Sequence, residues 1–244
     1  MPYNIIQRTN ISVTGLFIFL ICALAAVGQD APKKDSILPV ISGGARFRET
    51  VKKDSNMKMM DLQRNIPNIV LDLRYGSTNN FMKRVMYNEH PAYTFMRLPA
   101  VKALLQVQAE LNKKGYGLKI FDAYRPYFVT QKFWELVHDE RYVANPAKGS
   151  GHNRGIAVDL TVIDLKTAVE IKMPTGFDNF TDSAHHDFML LPENILADRK
   201  LLKSTMEKYG FLSFATEWWH YSLPNPEKYD VLDLGFTELK NAGD

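Results

Sequence analysis

The chain has 244 residues, 30 Lys and Arg against 27 Asp and Glu, a formal net charge of +3 and a single cysteine. This near balance, without a basic stripe interleaved with aromatic residues, excludes a nucleic-acid footprint and favours small-molecule or peptide chemistry. One cysteine excludes an intrachain disulfide.

Residues 1–28 read as a secretory signal peptide. Met1 to Asn10 carries Arg8 as its one charge, Ile11 to Val27 is apolar, and Ala26-Val27-Gly28 supplies the small residues of a cleavage site. A run of seventeen apolar residues also approaches the lower limit for a membrane anchor. The small residues directly after it, with no basic stop-transfer cluster, favour cleavage and export to the periplasm or cell envelope of a bacterium, leaving no stable membrane span. Cys22 follows Phe19-Leu20-Ile21, where a lipoprotein would carry a small residue. Cleavage leaves 216 residues, enough for one well-cored domain, and removes the cysteine, so that His, Asp and Glu remain as metal ligands.

Residues 29–58 are polar and weakly patterned, which predicts a mobile leader draped over a domain at 59–244. Ile69 to Tyr75 alternates like a strand and runs into a turn at 76–80. Pro99 opens a helix to about Lys114 with Val101, Leu104, Leu105 and Leu111 as its stripe, and Gly115 stops it. Leu118 to Ala123 is a short strand ending at Tyr124-Arg125-Pro126, and a helix follows from Tyr127 to about Val137. Gly155 to Ile163 alternates cleanly, 194–209 has a helical stripe closed by Gly210, and Phe211 to Tyr221 forms a last strand pair. Helices and short strands without a βαβ rhythm predict an α+β single domain, with a central, mainly antiparallel sheet flanked by helices.

The chemistry concentrates late in the chain. Ser150-Gly-His152-Asn-Arg-Gly155-Ile-Ala-Val-Asp159 and Glu217-Trp-Trp-His220-Tyr221 supply two imidazoles, a carboxylate and a spare glutamate. Three N or O ligands leave the fourth tetrahedral position of a zinc ion to water, the arrangement of a hydrolytic site. A nearby carboxylate that is not a ligand is the general base such a site needs. Asp159 interrupts an apolar strand, where an unpaired carboxylate costs several kcal/mol, so a metal or a positive partner must compensate. Taken alone, Asp159 also reads as a capping or salt-bridged residue and His152 as a loop histidine. Glu217 and His220 fall on opposite faces of an ideal strand, and address one ion only if a bend or bulge lies near Trp218-Trp219. Otherwise the tryptophans are core and Glu217 and His220 are solvated at an edge.

Ser-x-His-x-x-Gly-x-Ala-x-Asp followed by Glu-x-x-His resembles the zinc D-Ala-D-Ala peptidases, which share their metal site with the Hedgehog amino-terminal domain. Within that group, five motifs are similar to the D-alanyl-D-alanine dipeptidases of the VanX type. Besides the two above they are Asp72-Leu-Arg-Tyr75, Phe121-Asp-Ala-Tyr-Arg125-Pro, and Met173-Pro-Thr-Gly-Phe-Asp178-x-Phe180 with Ser183-x-His185. The resemblance implies a Hedgehog/D,D-peptidase-like fold and one Zn2+ per chain held by His152, Asp159 and His220. It also implies Glu217 as catalytic base and Arg125 as the group that polarises the scissile carbonyl.

For a zwitterionic dipeptide, Asp178 with Tyr75 and Ser150 resembles the family's amino-end pocket, and Asp182 and Asp187 compete for the acidic role. His185 and His186 stay outside the ligand set, and His90 and His138 read as surface histidines. The implied partners are a small D,D-dipeptide and fragments of peptidoglycan, with no nucleic acid. The resistance-associated dipeptidases act in the cytoplasm, whereas the export signal points to digestion outside the inner membrane. Two rivals share the metal residues: a D,D- or L,D-carboxypeptidase on peptidoglycan stems, and a non-catalytic zinc domain that binds wall fragments.

Overall fold

The computed structural model describes residues 38–89 and 91–243, so the signal peptide read at 1–28 and His90 lie outside the described residues. Val40–Ser42 forms strand β1 and Gly44–Lys53 helix α1. This corrects the expected mobile leader over its described part. α1 is charged at half its positions but buries Phe47 on its one apolar face, and the Gly44 amide donates to Glu238 Oε1 at 2.7 Å. A lone aromatic among charges gives little periodic signal, yet it anchors the segment.

Strand β2 (Met59–Asp61) leads into the short helix α2 (Leu62–Asn65), whose free amides at Gln63 and Arg64 are capped by Asp61 Oδ1. The strand expected over 69–75 is only Val70–Leu71 (β3), because the chain turns into a single 3-10 turn at Arg74–Gly76. Phe95–Arg97 (β4) pairs antiparallel with β2 and passes into helix α3, Leu98–Asn112. Pro99 sits in its first turn, where no intrahelical donor is missed, and Gly115 at φ +83° lets the chain reverse after it. Tyr116–Asp122 is β5, Tyr127–Val137 is helix α4, and Ala157–Asp164 is β6. Glu193–Lys208 (α5), Leu212–Phe214 (β7) and Glu217–Ser222 (β8) follow, and Val231–Asp233 (β9) and Phe236–Gly243 (α6) end the chain.

The central sheet has the order β3-β5-β6-β8-β7. The β3–β5 pair is parallel and the other three are antiparallel, giving the mainly antiparallel α+β sheet expected. α3 and α5 cover one region of it, burying Leu104, Leu111, Leu160, Leu202 and Trp218 together. A second cluster around Tyr75, Tyr124, Phe133 and Phe236 lies beside the catalytic loop candidates. The described residues form one compact unit.

The first and last described strands, β1 and β9, pair in parallel with Val40 opposite Val231. Buried Arg97 fastens this corner to the rest. Its guanidinium donates to the carbonyl of Met57, to Arg154 O at 2.9 Å and to Asp230 O at 3.0 Å. No helix among the described residues is long and apolar enough to cross a membrane.

Candidate active site

The register of three strands builds the centre of the site. Asp122 on β5 stands opposite Asp159 on β6, and Asp159 stands opposite His220 on β8. Residues directly opposite across antiparallel strands share a face with Cβ atoms about 5 Å apart, so the three side chains form one row. His220 Nδ1 and Asp159 Oδ1 are 2.8 Å apart. The β7–β8 pairing slips between Ser213 and Phe214, so that Phe214 faces Glu217 while Ser213 faces Tyr221. That irregularity falls across Trp218-Trp219-His220 and lets Glu217 and His220 open into one pocket, with His220 Nδ1 4.0 Å from Glu217 Oε2.

His152 arrives from the loop before β6. Gly151 lacks the Cβ that would press on the Ala157 Cβ at 2.8 Å, and Gly155 adopts φ +70° with Met59 where a side chain would go. Asn153 secures the turn by donating to Arg125 O at 2.8 Å and to Thr130 Oγ1 at 2.9 Å. His152 Nδ1 donates to Ala123 O at 2.7 Å, which leaves Nε2 as an acceptor directed inward. Nε2 lies 3.3 Å from His220 Nδ1 and 3.5 Å from Asp159 Oδ2.

His152, Asp159 and His220 thus bring one ligand-type atom each within 4.8 Å of one another. Three buried or half-buried acceptors converge on a single point, where only a shared proton or a cation balances them. Two imidazole nitrogens and a carboxylate oxygen form the donor set that suits zinc, so the residues fit the ion. Burial raises the Asp159 carboxyl, but the two imidazoles outweigh it and hold the group below the usual carboxylate range.

Glu217 is half-buried in the same pocket. Burial, opposed by His220 and reinforced by Asp159, pushes its carboxyl up to about 7. Arg125 lies across from it, with its guanidinium over the rings of Tyr75 and Phe133 at 5.0 and 4.9 Å. Its Nε and Nη2 donate to Asp122 Oδ2 at 3.0 and 2.7 Å, and Nη1 has no hydrogen-bond partner among the described residues. Burial alone would lower the guanidinium, but Asp122, together with Tyr75, Tyr87 and Asp159, more than offsets this and keeps Arg125 charged.

Asp178 takes a left-handed backbone (φ +59°), uncommon for a non-glycine residue, and its carboxylate accepts the Tyr75 hydroxyl at 3.0 Å. Burial first, then Asp159, pushes the Asp178 carboxyl up to about 8. Ser150 lines the pocket too, but its Oγ accepts the Asn153 amide at 3.1 Å and so serves the loop as well. All eight sequence-selected residues line one cavity of about 250 Å³. Asp182, Asp187, His185 and His186 do not line it. His138 closes helix α4 in a left-handed conformation and packs on Trp134.

Two residues escape the sequence reading. Buried Asp122 takes both Arg125 donors on Oδ2, while Oδ1 accepts the Ala123 amide at 2.9 Å and the Tyr87 hydroxyl. Tyr87 is itself buried. An acid directly after the apolar pair Ile120-Phe121 near the end of a strand was the available signal for Asp122, a weaker form of the one that marks Asp159. Tyr87 carried none.

A family model described as D-ala-D-ala dipeptidase matches residues 55–237. The D-alanyl-D-alanine dipeptidase of Escherichia coli (strain K12) is 30% identical over 186 residues, covering 76% of this chain and 95% of that protein. The D-alanyl-D-alanine dipeptidase of Streptomyces coelicolor is 31% identical over 183 residues, 65% of this chain and 89% of the relative. Among solved structures, the LdcB LD-carboxypeptidase is similar at 18% identity and a TM-score of 0.40, over 77% of this chain and 78% of its own.

Proposed function

The chain belongs to the D-Ala-D-Ala dipeptidase family of zinc metallopeptidases, and from that premise we propose that it hydrolyses free D-Ala-D-Ala. His152, Asp159 and His220 hold one zinc ion in this reading. The observation that carries it is their convergence beside Glu217 and Arg125 in one small cavity.

Bound there, zinc supplies Lewis acidity to the scissile carbonyl and acidity to a water molecule. Glu217 takes the proton of the attacking water on its carboxylate and returns it to the leaving amine, a task suited to a group balanced near neutrality. Arg125 is oriented by Asp122, which leaves Nη1 to donate to the oxygen on which charge develops. A preorganised donor of this kind lowers the barrier by roughly 3–4 kcal/mol. Asp178, paired with Tyr75, receives the ammonium of the substrate, whose charge draws the Asp178 proton off. At about 250 Å³ the cavity is smaller than the common range for drug-sized ligands, which favours a dipeptide over a polymer stem.

The test uses purified protein incubated with D-Ala-D-Ala and, separately, with a pentapeptide stem, each with and without chelator. Chelator-sensitive release of D-alanine from the dipeptide is expected. Preferential cleavage of the stem would support a carboxypeptidase, and stoichiometric zinc with no turnover would support a binding domain. We also place the enzyme outside the inner membrane, on the sequence pattern of residues 1–28. Fractionation of cells producing the full chain should recover it from the periplasm or envelope shortened at its amino end; recovery of full-length protein from the cytosol would refute that placement.

A further inference from the structure

The pocket has two walls from separate loops. One is the segment after α4, residues 138–149, and the other is the segment that carries Asp178 and Phe180. The walls meet at a ring pair: Tyr142 and Phe180 have centroids 5.2 Å apart at 65°. Phe180 is braced from behind by Phe81 at 5.3 Å and Trp219 at 6.1 Å. Tyr142 is different. It is 39% exposed, belongs to neither core cluster, and its hydroxyl has no hydrogen bond among the described residues.

Core packing therefore gives no account of an aromatic residue at 142, since an exposed ring contributes little to a core, and its local partner is the Arg141 guanidinium 5.3 Å over the ring, a surface contact. Its backbone is nonetheless held in place: the Tyr142 and Val143 amides both donate to Asp139 O at 3.1 Å, and Val143 is buried beneath. A rigid turn thus presents a ring across the pocket to a ring that is braced on its far side.

We propose that Tyr142 and Phe180 form a latch that excludes peptides extended beyond the amino end of the dipeptide. This rests on the dipeptidase reading with Asp178 as the ammonium site. Phe180 lies two residues beyond Asp178, so a further residue attached to the substrate's amino group runs into the space the two rings close. The selection is steric, an obstacle to the wrong substrate rather than an attraction to the right one.

The experiment compares D-Ala-D-Ala with the tripeptide L-Ala-D-Ala-D-Ala in the wild-type protein, Tyr142→Ala, Tyr142→Phe and Phe180→Leu. In Tyr142→Ala the kcat/KM for the tripeptide should rise about tenfold or more, with a smaller rise in Phe180→Leu. Tyr142→Phe keeps the ring and should keep wild-type selectivity. An unchanged tripeptide kcat/KM in Tyr142→Ala and Phe180→Leu would overturn the latch, and so would equal relaxation in Tyr142→Phe and Tyr142→Ala. If Tyr142→Ala fails to fold, Phe180→Leu alone decides. A wild-type protein inert toward D-Ala-D-Ala would instead refute the dipeptidase reading, so the two failures are distinct.

Discussion

A carboxyl group held near pH 7 both accepts and releases a proton at neutral pH, and Glu217 owes that balance to burial against its charged neighbours. Glu217→Gln should lower kcat by about 10²–10⁴-fold and leave metal content unchanged by elemental analysis. Loss of the metal along with activity would make Glu217 a ligand instead. The base works unprotonated, so kcat/KM should fall as pH drops through its pKa. A bound cation draws the carboxyl down, which places this acid limb at or below about 7 in a pH–rate profile. Asp122 acts one step back, through Arg125. Asp122→Asn loosens the guanidinium and should reduce kcat/KM on the order of 10²-fold, mainly through kcat. Tyr87→Phe should do much less, because the Ala123 amide and Arg125 still hold the carboxylate. At this scale the ligand-type residues were legible, since glycines, histidines and acids stand at fixed spacing in the sequence. Asp122 and Tyr87 were not, because their roles arise from strand register and from a contact 35 residues apart.

Among elements, α4 and α5 were legible within a residue or so, α4 because Pro126 marks its start and α5 because its stripe of Leu202, Met206 and Tyr209 is closed by Gly210. β3 was overread: Val70 and Leu71 pair with β5, but the alternation continued into residues that the 3-10 turn at Arg74 carries away. The opposite error occurred at α1, where charged residues concealed an anchored helix. Phe47→Ala should therefore destabilise the protein by about 3–5 kcal/mol, the usual range for emptying a buried phenylalanine site, as read from urea unfolding. A truly mobile leader would give no change. The Glu217–His220 relation was a conditional expectation from sequence, and the slipped β7–β8 register supplies the condition.

For the whole molecule, the α+β class followed from the order of elements, whereas the sheet order needed the long-range pairings. Stability should also carry a signature of His186, which is away from the pocket. Both its ring nitrogens are buried without a hydrogen-bond partner among the described residues, and burial, then Lys203 and Arg199, push its pKa down from 6.5 to about 4. The fold favours neutral His186, so the unfolded chain takes up a proton first as pH falls. Its contribution is complete above about pH 6.5, is lost progressively down to about pH 4, and is constant below. Denaturation midpoints measured across that range should decline in the wild type and decline less in His186→Phe.

The parallel pairing of β1 with β9 joins segments about 190 residues apart. Until the final strand has been synthesised, the first has no sheet partner, and closure over so long a span is slow because it comes late and forfeits much chain entropy. Arg97 makes the same demand, since one of its three carbonyl acceptors is supplied by Asp230. A nascent chain built this way leaves the corner of β1, β9 and Arg97 unfinished until its last segment has been made, however early the central sheet assembles.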